Sequence, residues 1–179
     1  MTVTPPSKSS RILAWTDGSA RPTNPGYGGW AFVIDDQLHS TVDVEFAWMP
    51  FGTTNNLAEL VAIQRCLKRA RELYQVTSCP VIISSDSQWS VNSINGDYKV
   101  RHHKELIAEI QRLMAEIQDV KVQWIQGHSG HAYNELVDKL ANLVTRDTNK
   151  SYTRRFDRET FLGQGNEFLR TYSELLRTA

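Results

Sequence analysis

Four acidic side chains stand where predicted strands end or predicted helices begin. A strand-like apolar run ends at Asp17, and a continuous apolar run over residues 80–85 ends at Asp86. Glu59 and Asp138 each flank the apolar face near the start of a predicted helix. Taken singly, each acid could be a turn, cap or solvated residue. Because ligands in open sheets bind beyond the carboxyl ends of parallel strands, the set as a whole indicates that the four carboxylates converge.

Converging carboxylates favour a particular chemistry. Crowded like charges raise one another's pKa, so such a cluster requires a compensating cation. Carboxylate oxygens are hard ligands that select Mg²⁺ or Mn²⁺. Two such ions ~3.5–4 Å apart serve in-line displacement at phosphorus, where one activates water and the other stabilises the leaving oxygen.

A histidine in a glycine-rich loop is the fifth candidate. His128 lies between Gly127 and Gly130, just before the last predicted helix. A mobile loop and a near-neutral pKa suit proton shuttling at product release. The plain alternative is a surface loop histidine.

The elements that must position these side chains follow an α/β pattern. Apolar periodicity predicts strands at 11–16, 28–35, 40–48, 80–85 and 120–125, and helices within 53–74, 87–94, 103–118 and 134–145. Either Asn55 or Asn56 is expected to cap the first helix. The first three strands should be antiparallel and the strands joined through helices parallel. A mixed five-stranded sheet flanked by helices follows.

Composition narrows the class of protein. The chain has 20 Lys and Arg residues and 20 Asp and Glu residues. Its net charge therefore gives it no long-range attraction to nucleic acid. Basic residues nevertheless cluster at 65–71, 99–104 and 154–158. No apolar run reaches the ~20 residues of a membrane span. Cys66 and Cys79 lie in or near an apolar segment without metal-ligand spacing, which favours two buried thiols over a disulfide. Free thiols indicate a reducing compartment, so a cytoplasmic protein is expected.

Both ends of the chain differ from its centre. Residues 1–10 lack the apolar core of a signal peptide and are predicted to be a disordered leader. Residues 146–179 begin with a polar, linker-like stretch and continue into an amphipathic helix near 166–176. That helix either packs on the domain's own surface, which predicts a monomer, or binds a partner or second copy.

Four segments, in order, resemble ribonuclease H of the type 1 class. The segments are TDGSARPTNPGYGGW, TTNNLAEL, SSDSQW and WIQGHSGHAYNELVDKLAN. The resemblance spans residues 11–145. It implies that Asp17, Glu59, Asp86 and Asp138 are the metal ligands and that His128 is the mobile catalytic histidine.

The resemblance also implies a fold and a reaction. The expected sheet order is 3-2-1-4-5. The expected reaction is endonucleolytic hydrolysis of the RNA strand of an RNA–DNA hybrid by two Mg²⁺ ions, with Mn²⁺ able to substitute, leaving a 5′-phosphate and a 3′-hydroxyl. Two alternatives are a non-catalytic hybrid-binding module of the same fold and a nuclease that acts on other duplexes.

Substrate contacts are implied by the same resemblance. Asn24, Asn55, Asn56 and Gln88 would contact the minor groove of the hybrid, because amides both donate to and accept from 2′-hydroxyls and base edges. Thr54 would help to hold a DNA phosphate. The alternative for these side chains is turn and cap chemistry.

The chain departs from the family pattern in three places. The loop before Asn24 is one residue longer than the common pattern. The long basic protrusion of some members is missing after Ile94, so affinity for the hybrid is expected to come from the cluster at 99–104 or from elsewhere. The C-terminal extension has no counterpart in the family pattern.

Overall fold

One mixed sheet of six strands organises the computed structural model, which describes residues 11–74 and 79–164. The strands are β1 (Ile12–Arg21), β2 (Gly26–Asp36), β3 (Thr41–Thr53), β4 (Val81–Ser85), β5 (Val120–Trp124) and β6 (Ser151–Asp157). The helices are α1 (Asn55–Tyr74), α2 (Gln88–Asn95), α3 (Lys104–Ala115), α4 (Ala132–Val144) and α5 (Arg158–Gln164). The sheet order is β5-β4-β1-β2-β3-β6.

Alternation along the central strands gives the sheet two apolar faces. On β2, Phe32 packs in a core that includes Ile63 of α1, whereas the next residue, Val33, packs in a second core with Leu140 of α4. All four side chains are fully buried, and burial of such side chains contributes ~1.5–3 kcal/mol each relative to exposure. The helices α1 and α4 are thus held on opposite faces of the same strands.

The predicted fold class and strand order are confirmed, with one addition. The first three strands are antiparallel, and β4 and β5 run parallel to β1. The sixth strand, β6, pairs antiparallel with the outer edge of β3. The linker-like prediction for residues 146–155 is therefore wrong over β6. The alternation of β6 was hard to see in the sequence, because Arg154 and Arg155 separate its two half-buried aromatic residues, Tyr152 and Phe156.

Two helix starts also differ from the sequence prediction. Thr54, rather than Asn55 or Asn56, caps α1, because its Oγ1 accepts a hydrogen bond from the backbone N–H of Leu57 at 3.2 Å. The helix predicted at 134–145, α4, begins at Ala132 and not at residue 134. Residues 1–10 and the predicted helix near 166–176 lie outside the described residues. No helix in the described ranges is long and apolar enough to cross a membrane.

Buried carboxylates at the β3 side of the sheet are matched by cations. Arg158 donates two hydrogen bonds to the buried Asp35, at 2.5 and 3.1 Å. Arg155 lies directly opposite Asp43 in the β3–β6 register, and its Nε is 3.0 Å from Asp43 Oδ2. Arg69 of α1 completes the site with a 2.8 Å contact to Asp43 Oδ1. Two of these three cations come from the C-terminal extension, so it is joined to the sheet by charge as well as by strand pairing.

Replacing Arg158 with methionine tests this attachment. The change keeps most of the side-chain volume but leaves the Asp35 carboxylate buried without its cation. We expect a loss of about 1–3 kcal/mol in the free energy of unfolding. The loss should not be larger, because a third of the Arg158 side chain is exposed and solvent weakens its attraction to Asp35. Urea denaturation would measure it. The double variant Asp35→Asn/Arg158→Met should recover part of the loss, and an equal loss in both proteins would contradict the assignment.

Candidate active site

The parallel pairing of β1 with β4 brings Asp17 and Asp86 to the same edge of the sheet. The last paired residues are Thr16 and Ser85, and each acid is the next residue in its strand or loop. Asp17 is not the last residue of its strand, as the sequence suggested, because β1 continues to Arg21 against β2. Asp17 therefore stands where β1 leaves β4, on backbone that remains fixed by β2.

Glu59 reaches the same point because α1 lies very close to β1. A Cβ on Gly18 would overlap the backbone of Ala58 and Glu59, so only glycine permits this approach. Since α1 begins at Asn55, Glu59 is in the second turn of the helix and not in the first. Its side chain is buried and turned towards Asp17.

Three carboxylates form one compact cluster. Asp17, Glu59 and Asp86 each offer an oxygen, and these oxygens all lie within 4.8 Å of one another. Asp17 and Glu59 are buried, and Asp86 is half-buried. Glu59 Oε2 is buried without a hydrogen-bond partner within the described part of the chain. An oxygen in that state is costly unless something outside the protein binds it.

Burial and mutual repulsion disfavour the charged forms of these acids. Burial, followed by the charges of Asp86 and Asp138, raises the pKa of Asp17 to about 8. Burial, followed by the charges of Asp17 and Asp86, raises the pKa of Glu59 well above its ordinary value. No Lys or Arg in the described ranges forms an ion pair with Asp17, Glu59 or Asp86.

The donor set fits a divalent cation. The cluster offers only carboxylate oxygens, which suit Mg²⁺ or Mn²⁺ better than softer ions. A bound cation would supply the positive charge that the surrounding protein does not, and it would give Glu59 Oε2 a partner. These three residues are therefore candidate metal ligands.

The fourth predicted acid lies beside this cluster and not within its three-ligand geometry. Asp138 projects from the middle of α4, and its charge is close enough to raise the pKa of Asp17. Its Oδ1 accepts a hydrogen bond from Asn142 Nδ2 at 2.8 Å. Asn142 Oδ1 in turn accepts from Ser19 Oγ at 2.7 Å and from Arg21 Nε. These bonds fix the position of Asp138 relative to β1.

The loop that carries His128 is attached to the site on both sides. Gly127 packs on the Asp86 side chain so closely that a Cβ there would lie 2.8 Å from Asp86 Oδ2. After the loop, the His131 ring contacts Trp15 of β1, with ring centroids 4.9 Å apart. Between these contacts His128 is exposed and has a φ of 50°. The loop thus carries an exposed imidazole one residue after the glycine that packs on Asp86.

Asn134 is a residue of the site that sequence reasoning missed. It is buried in the first turn of α4, and its Nδ2 donates a hydrogen bond to Asp86 Oδ2 at 3.1 Å. Its Oδ1 is buried and has no hydrogen-bond partner in the described residues. The signal was available, because Asn134 shares the helical face of Val137, Ala141 and Val144. A lone amide on an apolar face indicates a positioned polar contact.

The predicted substrate residues surround the start of α1. Asn24 Oδ1 accepts a hydrogen bond from Asn55 N at 3.1 Å, and Asn55 Oδ1 accepts one from Ala20 N at 2.7 Å. Asn24, Asn55 and Thr54 therefore make turn and cap contacts. A cavity of about 570 Å³ is lined by Asn24, Thr54, Asn56, Trp89, His102 and His103. Gln88 is exposed at the start of α2, next to Trp89.

Comparison with known proteins identifies the family. The model of the family described as RNase H matches residues 9–146. The chain belongs to the RNase H family. It is 34% identical over 152 residues to the ribonuclease H of Tropheryma whipplei, covering 78% of this chain and 87% of that protein. It is 32% identical over 148 residues to the ribonuclease H of Francisella tularensis subsp. novicida, covering 75% and 91%. The resemblance to type 1 ribonuclease H is confirmed, and the chain is a nuclease of this family.

Solved RNase H structures share its fold. The N-terminal RNase H domain of a Mycobacterium tuberculosis protein, solved as a fusion with maltose-binding protein, is 27% identical. That match has a TM-score of 0.65 and covers 77% of this chain and 95% of that chain. LC11-RNase H1 in complex with an RNA/DNA hybrid is 29% identical, with a TM-score of 0.65 and coverage of 76% and 97%.

The acidic cluster should make metal-free stability depend on pH. Because the folded-state pKa of Asp17 is raised from 3.8 to about 8, the folded chain holds a proton that the unfolded chain releases. The free energy of unfolding should therefore fall as pH rises from about 4 to about 8 in chelator. Asp17→Asn should reduce this fall, and Mg²⁺ should oppose it in the unaltered protein. Urea denaturation at both ends of the window measures it, with exposed Asp97→Asn as control. An equal fall in all three proteins would exclude the cluster as the cause.

Removing the amide of Asn134 should lower the rate of cleavage, because Asp86 then loses the hydrogen bond that orients it. Substitution of groups that orient a metal ligand typically costs about 10–100-fold in metal affinity or activity, so we expect a loss of that size for Asn134→Ala. Raising the Mg²⁺ concentration should restore part of the rate, whereas loss of overall folding would not respond to the ion. Asn95→Ala is the matched control, because Asn95 donates to Val122 O away from the cluster. An Asn134→Ala enzyme with unaltered rate and Mg²⁺ dependence would show that Asp86 needs no such support.

Proposed function

We propose that this nuclease hydrolyses the RNA strand of RNA–DNA hybrids endonucleolytically, leaving 5′-phosphate and 3′-hydroxyl ends. The observation that carries the proposal is a cluster of two buried carboxylates and one half-buried carboxylate, with no ion-paired Lys or Arg in the described residues, on a chain of the RNase H family. A structural neighbour bound to an RNA/DNA hybrid supports the choice of substrate.

Asp17, Glu59, Asp86 and Asp138 would hold two Mg²⁺ ions in this proposal. When bound, such ions activate a water molecule and stabilise the leaving oxygen of a phosphodiester. The protein's own contribution is to fix the carboxylates before substrate arrives. Asn134 holds one oxygen of Asp86, and Asn142 holds one oxygen of Asp138. Asp138, from α4 on the other face of the sheet, would be the fourth ligand.

Recognition of RNA over DNA requires contacts to 2′-hydroxyls. Asn24 and Asn55 already use their amide oxygens to join the β1–β2 loop to α1. Each therefore keeps its NH₂ group as a donor for hydroxyl oxygens or for base acceptors. Asn56 and Thr54 line the adjoining cavity, and Gln88 is next to Trp89, which lines it too. We assign this surface to the hybrid, with Thr54 nearest to the DNA phosphates.

A cleavage assay tests the proposal. Labelled RNA–DNA hybrid, duplex RNA and duplex DNA would each be incubated with Mg²⁺, Mn²⁺ or chelator. We expect cleavage of the RNA strand of the hybrid alone, dependent on either ion. Asp17→Asn should abolish cleavage while hybrid binding remains, since it removes a charged ligand from a crowded acidic site.

Two results would contradict the proposal in different ways. Equal cutting of duplex DNA would reject the substrate assignment. Binding of the hybrid without cleavage under any of these conditions would make the chain a hybrid-binding module. Analysis of the product ends, by phosphatase sensitivity of the 5′ side, checks the proposed chemistry separately.

His128 is assigned to proton transfer and product release. Its exposed ring sits on a loop anchored at Asp86, so it can approach the reacting phosphate without disturbing the ligands. We expect His128→Ala to lower turnover by about 10²-fold, the low end of acid–base contributions, with activity still measurable. Steady-state rates under saturating hybrid measure this, with His39→Ala, in the turn between β2 and β3, as control. Wild-type turnover in His128→Ala would remove the residue from the mechanism.

A further inference from the structure

A second cavity lies on the α4 side of the sheet, beyond the predicted hybrid surface. It has a volume of about 500 Å³, and its lining includes Arg21, Tyr27, Trp48, Thr145 and Arg146. No acidic side chain lines it within the described residues. Neither arginine forms an ion pair with a carboxylate in the same part of the chain. The cavity therefore combines two uncompensated guanidinium groups with aromatic walls.

An irregularity between β2 and β3 exposes the aromatic rings. Gly26 pairs with Thr53, but Gly28 pairs with Met49, so three residues of β3 bulge out opposite Tyr27. Tyr27 is 40% exposed and Phe51, in the bulge, is 65% exposed. The two rings meet edge to face, with centroids 5.3 Å apart. Bulges commonly re-aim side chains out of a sheet, and here the result is an uncovered aromatic surface.

Trp48 adds an unused donor to this surface. Its indole Nε1 is buried and has no hydrogen-bond partner among the described residues. Its ring lies 6.2 Å from that of Tyr27, measured between centroids. An unsatisfied buried N–H beside a cavity indicates a partner that the protein itself does not supply.

The cavity is linked to the acidic cluster through side chains. Arg21 is four residues after Asp17 on β1, and its Nε donates to Asn142 Oδ1. Asn142 in turn donates to Asp138. A strand whose phosphate lies at the carboxylates could therefore continue past Arg21 into the cavity.

From these contacts we infer that the cavity binds single-stranded RNA that extends from the cleaved strand of the hybrid. This subsite rests on the proposed function, because the strand that passes the carboxylates is then the RNA strand. Arg21 and Arg146 would contact phosphates, and Tyr27 would stack on an unpaired base. Aromatic stacking flanked by cationic side chains is the usual means of binding single strands without strong sequence preference. A paired base could not stack in this way, since its faces are covered by its neighbours.

Fluorescence anisotropy with Asp17→Asn protein tests the subsite without cleavage. The probes are a blunt RNA–DNA hybrid and the same hybrid with a single-stranded extension on the RNA strand, at its 5′ or 3′ end, or on the DNA strand. We expect one RNA-extended hybrid to bind about tenfold more tightly than the blunt one, near the low end of stacking energies per base. Adding Tyr27→Ala or Arg146→Gln should erase most of that gain. Arg112→Gln, an exposed arginine on α3, should keep it.

The outcomes separate the subsite from the proposed function. Binding of blunt hybrid with no gain from either RNA extension overturns the subsite and leaves the proposed function standing. A gain that survives both Tyr27→Ala and Arg146→Gln also overturns it, as does an equal gain from the DNA extension. Failure to bind any hybrid overturns both proposals.

Discussion

Repulsion among three closely spaced carboxylates, two of them buried, is the constraint around which this structure is built. Asp17, Glu59 and Asp86 converge within 4.8 Å, and burial together with mutual charge raises the pKa of Asp17 and Glu59. Left alone, such a cluster opposes folding. The surrounding fold tolerates it because β1 is paired on both sides and α1 is packed on β1 at Gly18, so the carboxylates cannot move apart cheaply.

The other buried acids in the described residues differ from this cluster, because each has a cationic or hydrogen-bonding partner within the protein. Asp35 is paired with Arg158, and Asp43 with Arg69 and Arg155. Asp36 accepts hydrogen bonds from Tyr74 and from backbone N–H groups. The contrast fits the proposed metal binding, because a metal ligand must keep its oxygens free of strong protein cations. Second-layer amides such as Asn134 and Asn142 orient carboxylates at the site without neutralising them.

Sequence periodicity was enough to predict a mixed sheet with acids at the ends of its elements, whereas the strand order came from the resemblance to ribonuclease H. Strand ends and helix faces can be predicted because they depend on the local pattern of apolar residues. The sequence did not reveal β6, since an edge strand with alternating charges resembles a linker until its partner strand is known. Nor did it reveal that Asp138 stands beside the three-carboxylate cluster, because side-chain direction within a helix depends on packing between layers. Asn134 could have been found, as the one amide on the apolar face of α4.

The central claim is that the cluster binds a divalent cation, and that the cation replaces the protons that the carboxylates hold without it. Calorimetric titration of Mg²⁺ into the protein near pH 7, repeated in buffers of different ionisation enthalpy, measures the protons released on binding. Because the pKa of Asp17 is about 8 without metal, we expect release of about one proton or more per protein molecule, reduced in Asp17→Asn. Binding of Mg²⁺ with no proton release, or no binding at all, would contradict the claim.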